Sequence, residues 1–201
     1  MAKLSTALFT FLLLFSISGQ AADSINLSPY TVLEKAGNQL FTRISDNQQE
    51  IKKFPNLMNV IVQEELMPTI DYKYAAYKIL GKHLKKTTKE QRAKFALSMR
   101  SYLARTYATA LKQYKNQQVI FEQEKSTKGK RIVAIRAQII DLNKQTIDMI
   151  FKMRMNKKTG EWKAYDMVVE GISLLSSKKA EFSKRIAKQG VEQVSMELAV
   201  L

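Results

Sequence analysis

Apolar positions recur every three or four residues through both ends of the chain and every second residue through one central stretch, which predicts helices, then strands, then helices. Ser28-Pro29 opens the first helix, with serine as cap and proline at the first helical position, and Leu33, Ala36, Leu40 and Ile44 continue one stripe to about Ile44. A second helical segment follows Phe54-Pro55. It places Leu57, Ile61 and Leu66 on one face and ends near Pro68, because the residue before a proline avoids the helical region. Asp71 opens a third, carrying Tyr74, Ala75, Ile79 and Leu80 until Gly81 stops it. Thr88 and Gln91 have the spacing of a capping box, and Ala96, Met99, Leu103, Tyr107, Ala110 and Tyr114 extend the fourth helix to about 26 residues.

After Lys115 the period changes to two. Strands are expected over Gln118 to Gln123, Arg131 to Ile140, Thr146 to Met155 and Trp162 to Val169, with turns at Asp141-Leu142-Asn143-Lys144 and Lys157-Lys158-Thr159-Gly160. Connections this short exclude parallel crossovers, so the sheet is antiparallel. Val133, Ile135, Ala137 and Ile139 share one face of the second strand, and Ile147, Met149, Phe151, Met153 and Met155 one face of the third. From Ser173 the helical period returns in Leu174, Leu175, Phe182 and Ile186, then, after a break at Gly190, in Val191, Val194 and Leu198. The order describes one α+β domain, a bent antiparallel sheet of about four strands covered by helices on one face.

The N-terminus stands apart from this pattern. Lys3, the apolar run from Leu8 to Ile17 and the small residues of Gly19-Gln20-Ala21 form a secretory signal peptide, expected to be cleaved after residue 21. Its apolar run is about half the ~20 residues that a membrane-spanning helix needs. The mature chain, 22–201, is then a single exported domain, large enough for a core with a cavity in it. It has no cysteine, so neither disulfides nor thiol chemistry contribute. The net charge of +15, of which Lys3 carries one unit, points to anionic partners. Composition alone puts nucleic acid first, but export makes membrane faces and lipids the accessible partners. Basic runs at Lys82-His83-Leu84-Lys85-Lys86 and Lys128-Gly129-Lys130-Arg131 are short and lie near element ends.

Catalytic constellations are missing. His83 is the single histidine and reads as a surface residue among lysines, so there is no His-pair metal site; there is no glycine-rich phosphate cradle and no nucleophile elbow. Asp166 and Glu170 form the best acidic pair, and the simpler reading is that Asp166 bonds locally while Glu170 ends its strand at Gly171. No cofactor, metal or catalytic residue is expected. What stands out is an apolar sheet face rich in methionine, a flexible and polarizable side chain that adapts to chains of varying length.

Two stretches carry a resemblance. Leu66-Met67-Pro68-Thr69-Ile70-Asp71-Tyr72-Lys73-Tyr74-Ala75, followed by Ile79-Leu80-Gly81, Thr88, Gln91-Arg92, Phe95, Tyr102-Leu103 and Tyr107, resembles the helical signature of the MlaC, or toluene-tolerance, family, and Trp162 to Ser173 resembles its strand-to-helix signature. Met153 and Met155 depart from the residues found there in some relatives. The resemblance implies a cystatin-like or nuclear-transport-factor-like fold and a monomeric periplasmic carrier of phospholipid. It also implies partners at both membranes: an outer-membrane lipoprotein with a porin, and an inner-membrane ATP-driven transport complex, with outer-membrane lipid asymmetry maintained between them. Val133, Ile135, Ile139, Met149, Phe151 and Met153 are the expected acyl-chain contacts, with Leu80, Met99, Leu103, Tyr165 and Met167 beside them. A chaperone for outer-membrane proteins and a small-molecule enzyme on the same fold remain as alternatives.

Overall fold

A computed structural model describes residues 27–141 and 145–200. The expected signal peptide and residues Leu142, Asn143 and Lys144 of the expected turn lie outside the described residues. Helix α1 (Pro29–Asp46) begins where Ser28 Oγ accepts the Thr31 N–H at 3.2 Å, and its stripe of Leu33, Ala36, Leu40 and Ile44 is buried. A short helix α2 (Gln48–Lys53) follows. The apolar period does not reveal it, because Ile51 is its one apolar residue and none of its residues is buried. Helix α3 (Leu57–Ile61) runs into a π turn over Val62–Leu66 and a 3-10 turn over Met67–Thr69, so the segment leading to Pro68 is wound unevenly.

Helix α4 (Tyr72–Leu80) is pinned at both ends. Asp71 accepts the Tyr74 N–H at 3.0 Å, and its own N–H donates to Ala164 O at 2.7 Å, which ties the helix start to the sheet. Gly81 ends it at φ 50°, a left-handed angle that glycine adopts without strain. Helix α5 (Lys89–Leu111) carries the capping box: Gln91 N–H donates to Thr88 Oγ1 at 3.2 Å and Thr88 N–H to Gln91 Oε1 at 2.9 Å. It stops short of Tyr114, whose hydroxyl donates to Gln117 O in the turn beyond.

The strands are β1 (Gln118–Phe121), β2 (Ile132–Ile140), β3 (Ile147–Met155), β4 (Trp162–Val169) and β5 (Ile172–Ser173), antiparallel in the order β1-β2-β3-β4-β5. The fifth, only two residues long, escapes a search for alternation. In β2, Val133, Ile135 and Ala137 are buried toward the helices, while Ile132, Ala134, Arg136 and Gln138 are exposed, so over this strand the helices cover one face. Register shifts between Lys152 and Met153, which leaves Tyr165 as an extra residue in β4 and bends the strand. Helix α6 (Leu174–Val200) completes the fold and kinks at Gly190, φ 82°.

The core has three parts. Helices α4, α5 and α6 enclose Phe95, Met99, Leu80 and Phe182; α1, α3 and α5 enclose Ile44, Ile61 and Met67; and α1 packs Tyr30 and Leu33 on Val133, Ile135, Met153 and Trp162 of the sheet. These clusters surround a space that they do not fill.

Candidate functional site

That space is a cavity of about 310 Å³. Its floor is the helix-facing side of β2, β3 and β4, where Ile139, Met149, Phe151 and Met167 stand. Helix α1 supplies Leu33, Leu40 and Phe41, α4 supplies Ala75 and Ile79, and α5 supplies Leu103, Tyr107 and Leu111. Leu174, Leu175 and Lys178 of α6 close the side beyond β4. Gly37 makes one end possible: a methyl group there would lie 2.5 Å from Phe121 Cζ, so the missing side chain lets the Phe121 ring of β1 come against α1.

Of the residues expected to touch a ligand, Ile139, Met149, Phe151, Met167, Tyr165 and Leu103 line the cavity. Val133, Ile135 and Met153 lie on the same sheet face but are covered by Tyr30 and Leu33, and Leu80 and Met99 are enclosed by α5 and α6. Met153 is 0 % exposed; alternation assigned its face correctly without showing that protein already covers it. The contribution of α1 and β1 was missed in the sequence. Phe41 and Gly37 sit off the main stripe of α1, and that second apolar flank is the signal that reveals them.

The charged groups on the wall are tied to protein partners. Asp166 accepts from Lys152 Nζ at 2.9 Å, the Ser173 hydroxyl at 2.9 Å and the Leu175 N–H at 3.0 Å, fastening the start of α6 to β4. Glu170 accepts the Asp148 N–H at 2.7 Å, so the acidic pair is committed to strand ends. Lys178 bonds Glu181 at 2.9 Å and lies over the Tyr102 ring; burial lowers its pKa, but the hydrogen bonds to Tyr102 and Glu181 raise it overall. Burial raises the Tyr165 phenol, which meets Tyr74 edge-on at 5.2 Å. The Tyr107 phenol is pushed up to about 12, first by burial and then by the charge of Asp166. His83 is partly covered at the surface, with its Nε2 3.1 Å from Ser183 Oγ where α6 passes the turn after α4.

Among the described residues no group of His, Cys, Asp and Glu is placed to hold a metal ion, and no helix is long and apolar enough to cross a membrane. A nearly all-hydrocarbon wall suits an apolar guest held by exclusion from water.

Comparison with known proteins gives the same direction. The family described as MlaC protein matches residues 34–200. The intermembrane phospholipid transport system binding protein MlaC of Haemophilus influenzae is 38% identical over 166 residues, 82% of this chain and 78% of that protein. Toluene tolerance protein ttg2D of Pseudomonas putida is 23% identical over 164 residues, 81% of this chain and 75% of that one. A solved phospholipid-binding protein of Ralstonia solanacearum, in complex with a phospholipid, shares the fold. Its TM-score is 0.74 at 22% identity, covering 86% of this chain and 95% of that one.

Proposed function

This chain belongs to the MlaC family, and from that premise we propose that it holds the acyl chains of a phospholipid in its cavity and carries the lipid across the periplasm. The observation that supports the reading is an apolar cavity between sheet and helices in a chain whose relatives are named for phospholipid binding and transport. The need for such a cavity is large. At about 0.8 kcal/mol per methylene, a diacyl lipid with about 28 of them resists water by roughly 20 kcal/mol. A carrier must replace the bilayer's surroundings and still release its load, and a wall built from one sheet and several separate helices suits loading by movement of helices against strands.

The cycle we infer takes lipid between an outer-membrane lipoprotein with its porin and an inner-membrane ATP-driven complex, and so maintains outer-membrane lipid asymmetry. The chain acts as a monomeric binding protein and not as an enzyme; the carboxylates of Asp166 and Glu170 are taken up by strand and helix ends. Export rests on the segment 1–21, whose removal leaves Ala22 as the mature N-terminus.

Gentle purification from the periplasmic fraction, intact-mass measurement and lipid extraction test the reading together. The expected outcome is a mass beginning at Ala22 with phospholipid bound. Crosslinking in cells should capture membrane components from both faces of the periplasm. A lipid-free protein that traps unfolded outer-membrane proteins instead would point to the chaperone alternative.

A further inference from the structure

Two phenols on the cavity wall, Tyr107 and Tyr165, make no hydrogen bond to protein among the described residues. Asp166 and Lys178 are engaged as described, and Tyr165 is only partly enclosed beside Tyr74. Burial acts more strongly on the Tyr107 phenol than on that of Tyr165. Tyr107 stands on α5 and packs against the cluster that holds Ala104 and Ala108, and among the described residues it makes no hydrogen bond to protein. The fully shut-in side-chain polar atoms without a partner, among the described residues, are Asn59 Oδ1 and Arg105 Nε. The Tyr107 hydroxyl is not one of them, so open space adjoins it, and the space that Tyr107 lines is the cavity.

A hydroxyl at an apolar wall is disfavoured unless whatever fills the space brings an acceptor. Asp166, close enough for its charge to act on Tyr107, already accepts three donors. A ring alone would serve the packing, and phenylalanine offers that ring. The acceptor must therefore come with the guest. An acyl lipid carries one at a set place, the ester carbonyl at the head of each chain. The phosphate fits poorly here, because a full charge is costly to bring against hydrocarbon, and the nearby cations Lys152 and Lys178 are already paired with Asp166 and Glu181.

We propose that the Tyr107 hydroxyl donates a hydrogen bond to an ester carbonyl of the cargo, so that Tyr107 selects ester-linked over ether-linked lipids and sets the depth of the chains. This rests on the reading that the cavity holds acyl chains. An ether oxygen is a weaker acceptor, so linkage chemistry isolates the contact while chain length and headgroup stay constant.

The test uses the mature full chain, stripped of lipid and offered vesicles containing equal diacyl and dialkyl phosphatidylglycerol of matched chain length, with bound species counted by native mass spectrometry. The wild type should take the diester form about three- to tenfold more, the range one hydrogen bond spans. Tyr107→Phe should remain folded and lose the preference, while Tyr77→Phe, at an exposed residue outside the cavity wall, keeps it. Equal uptake of both lipids by the wild type, or an unchanged preference in Tyr107→Phe, overturns the assignment alone. A wild type that takes up neither overturns the assignment together with the acyl-chain reading.

Discussion

The helix-facing side of β2 and β3 is one apolar surface put to two uses. At one end Val133, Ile135 and Met153 pack under Tyr30 and Leu33 and beside Trp162, and Met153 is 0 % exposed. At the other, Ile139, Met149 and Phe151 keep partial exposure and face the cavity. Leu33 and Phe151 belong to both, packing with the closed cluster and lining the open space. Both ends alternate with the same period and both contain methionine, so residue type does not distinguish them. The difference lies in what stands opposite: protein side chains at the closed end, and empty volume bounded by α1, α4 and α5 at the open end.

This contrast yields measurable differences. Met153→Ala removes a fully enclosed side chain and should cost about 2–5 kcal/mol of stability, read by chemical denaturation of lipid-free protein. Phe151→Ala should cost less, about 1–2 kcal/mol against the roughly 3–5 typical of an enclosed phenylalanine, because one side of the ring already lacks neighbours. Equal losses at the two positions would erase the distinction between the ends.

Tyr107 gives a smaller and pH-dependent signal. Its folded pKa lies above its unfolded one, so the unfolded chain loses its proton first. The phenol's contribution is complete below about pH 10 and is lost as pH rises to about 12. Wild type should therefore lose on the order of 1 kcal/mol more than Tyr107→Phe across that window. The smallest effect on stability is expected for Gly37→Ala, within about 1 kcal/mol, since the Phe121 ring at 2.5 Å is a side-chain tip that can swing aside. Its consequence belongs to the open end: the displaced ring reshapes the cavity, and the bound lipids should shift in chain-length distribution.

Much of the fold was legible in the sequence. Ser28, Asp71, Thr88 with Gln91, and Gly81 mark helix ends by side-chain and backbone chemistry that acts locally, and the structure places ends there. What was not legible is long-range. Alternation shows that Met149 and Met153 share a face, but only the path of α1 decides which of them is covered. The roles of Gly37 and Phe121 depend on a close approach between residues far apart in the chain. Likewise α2, with no buried residue, leaves no apolar period to find.

The measurement closest to the central claim compares two charge insertions on one strand pair. Met149→Glu places a carboxylate on the cavity floor, and Ile132→Glu places one on the opposite side of β2, at a residue 56% exposed. Both proteins are checked for folding by circular dichroism, and bound phospholipid is counted by native mass spectrometry after gentle purification. Met149→Glu should stay folded but empty, while Ile132→Glu keeps wild-type occupancy. Folded Met149→Glu with a full complement of lipid would contradict that claim.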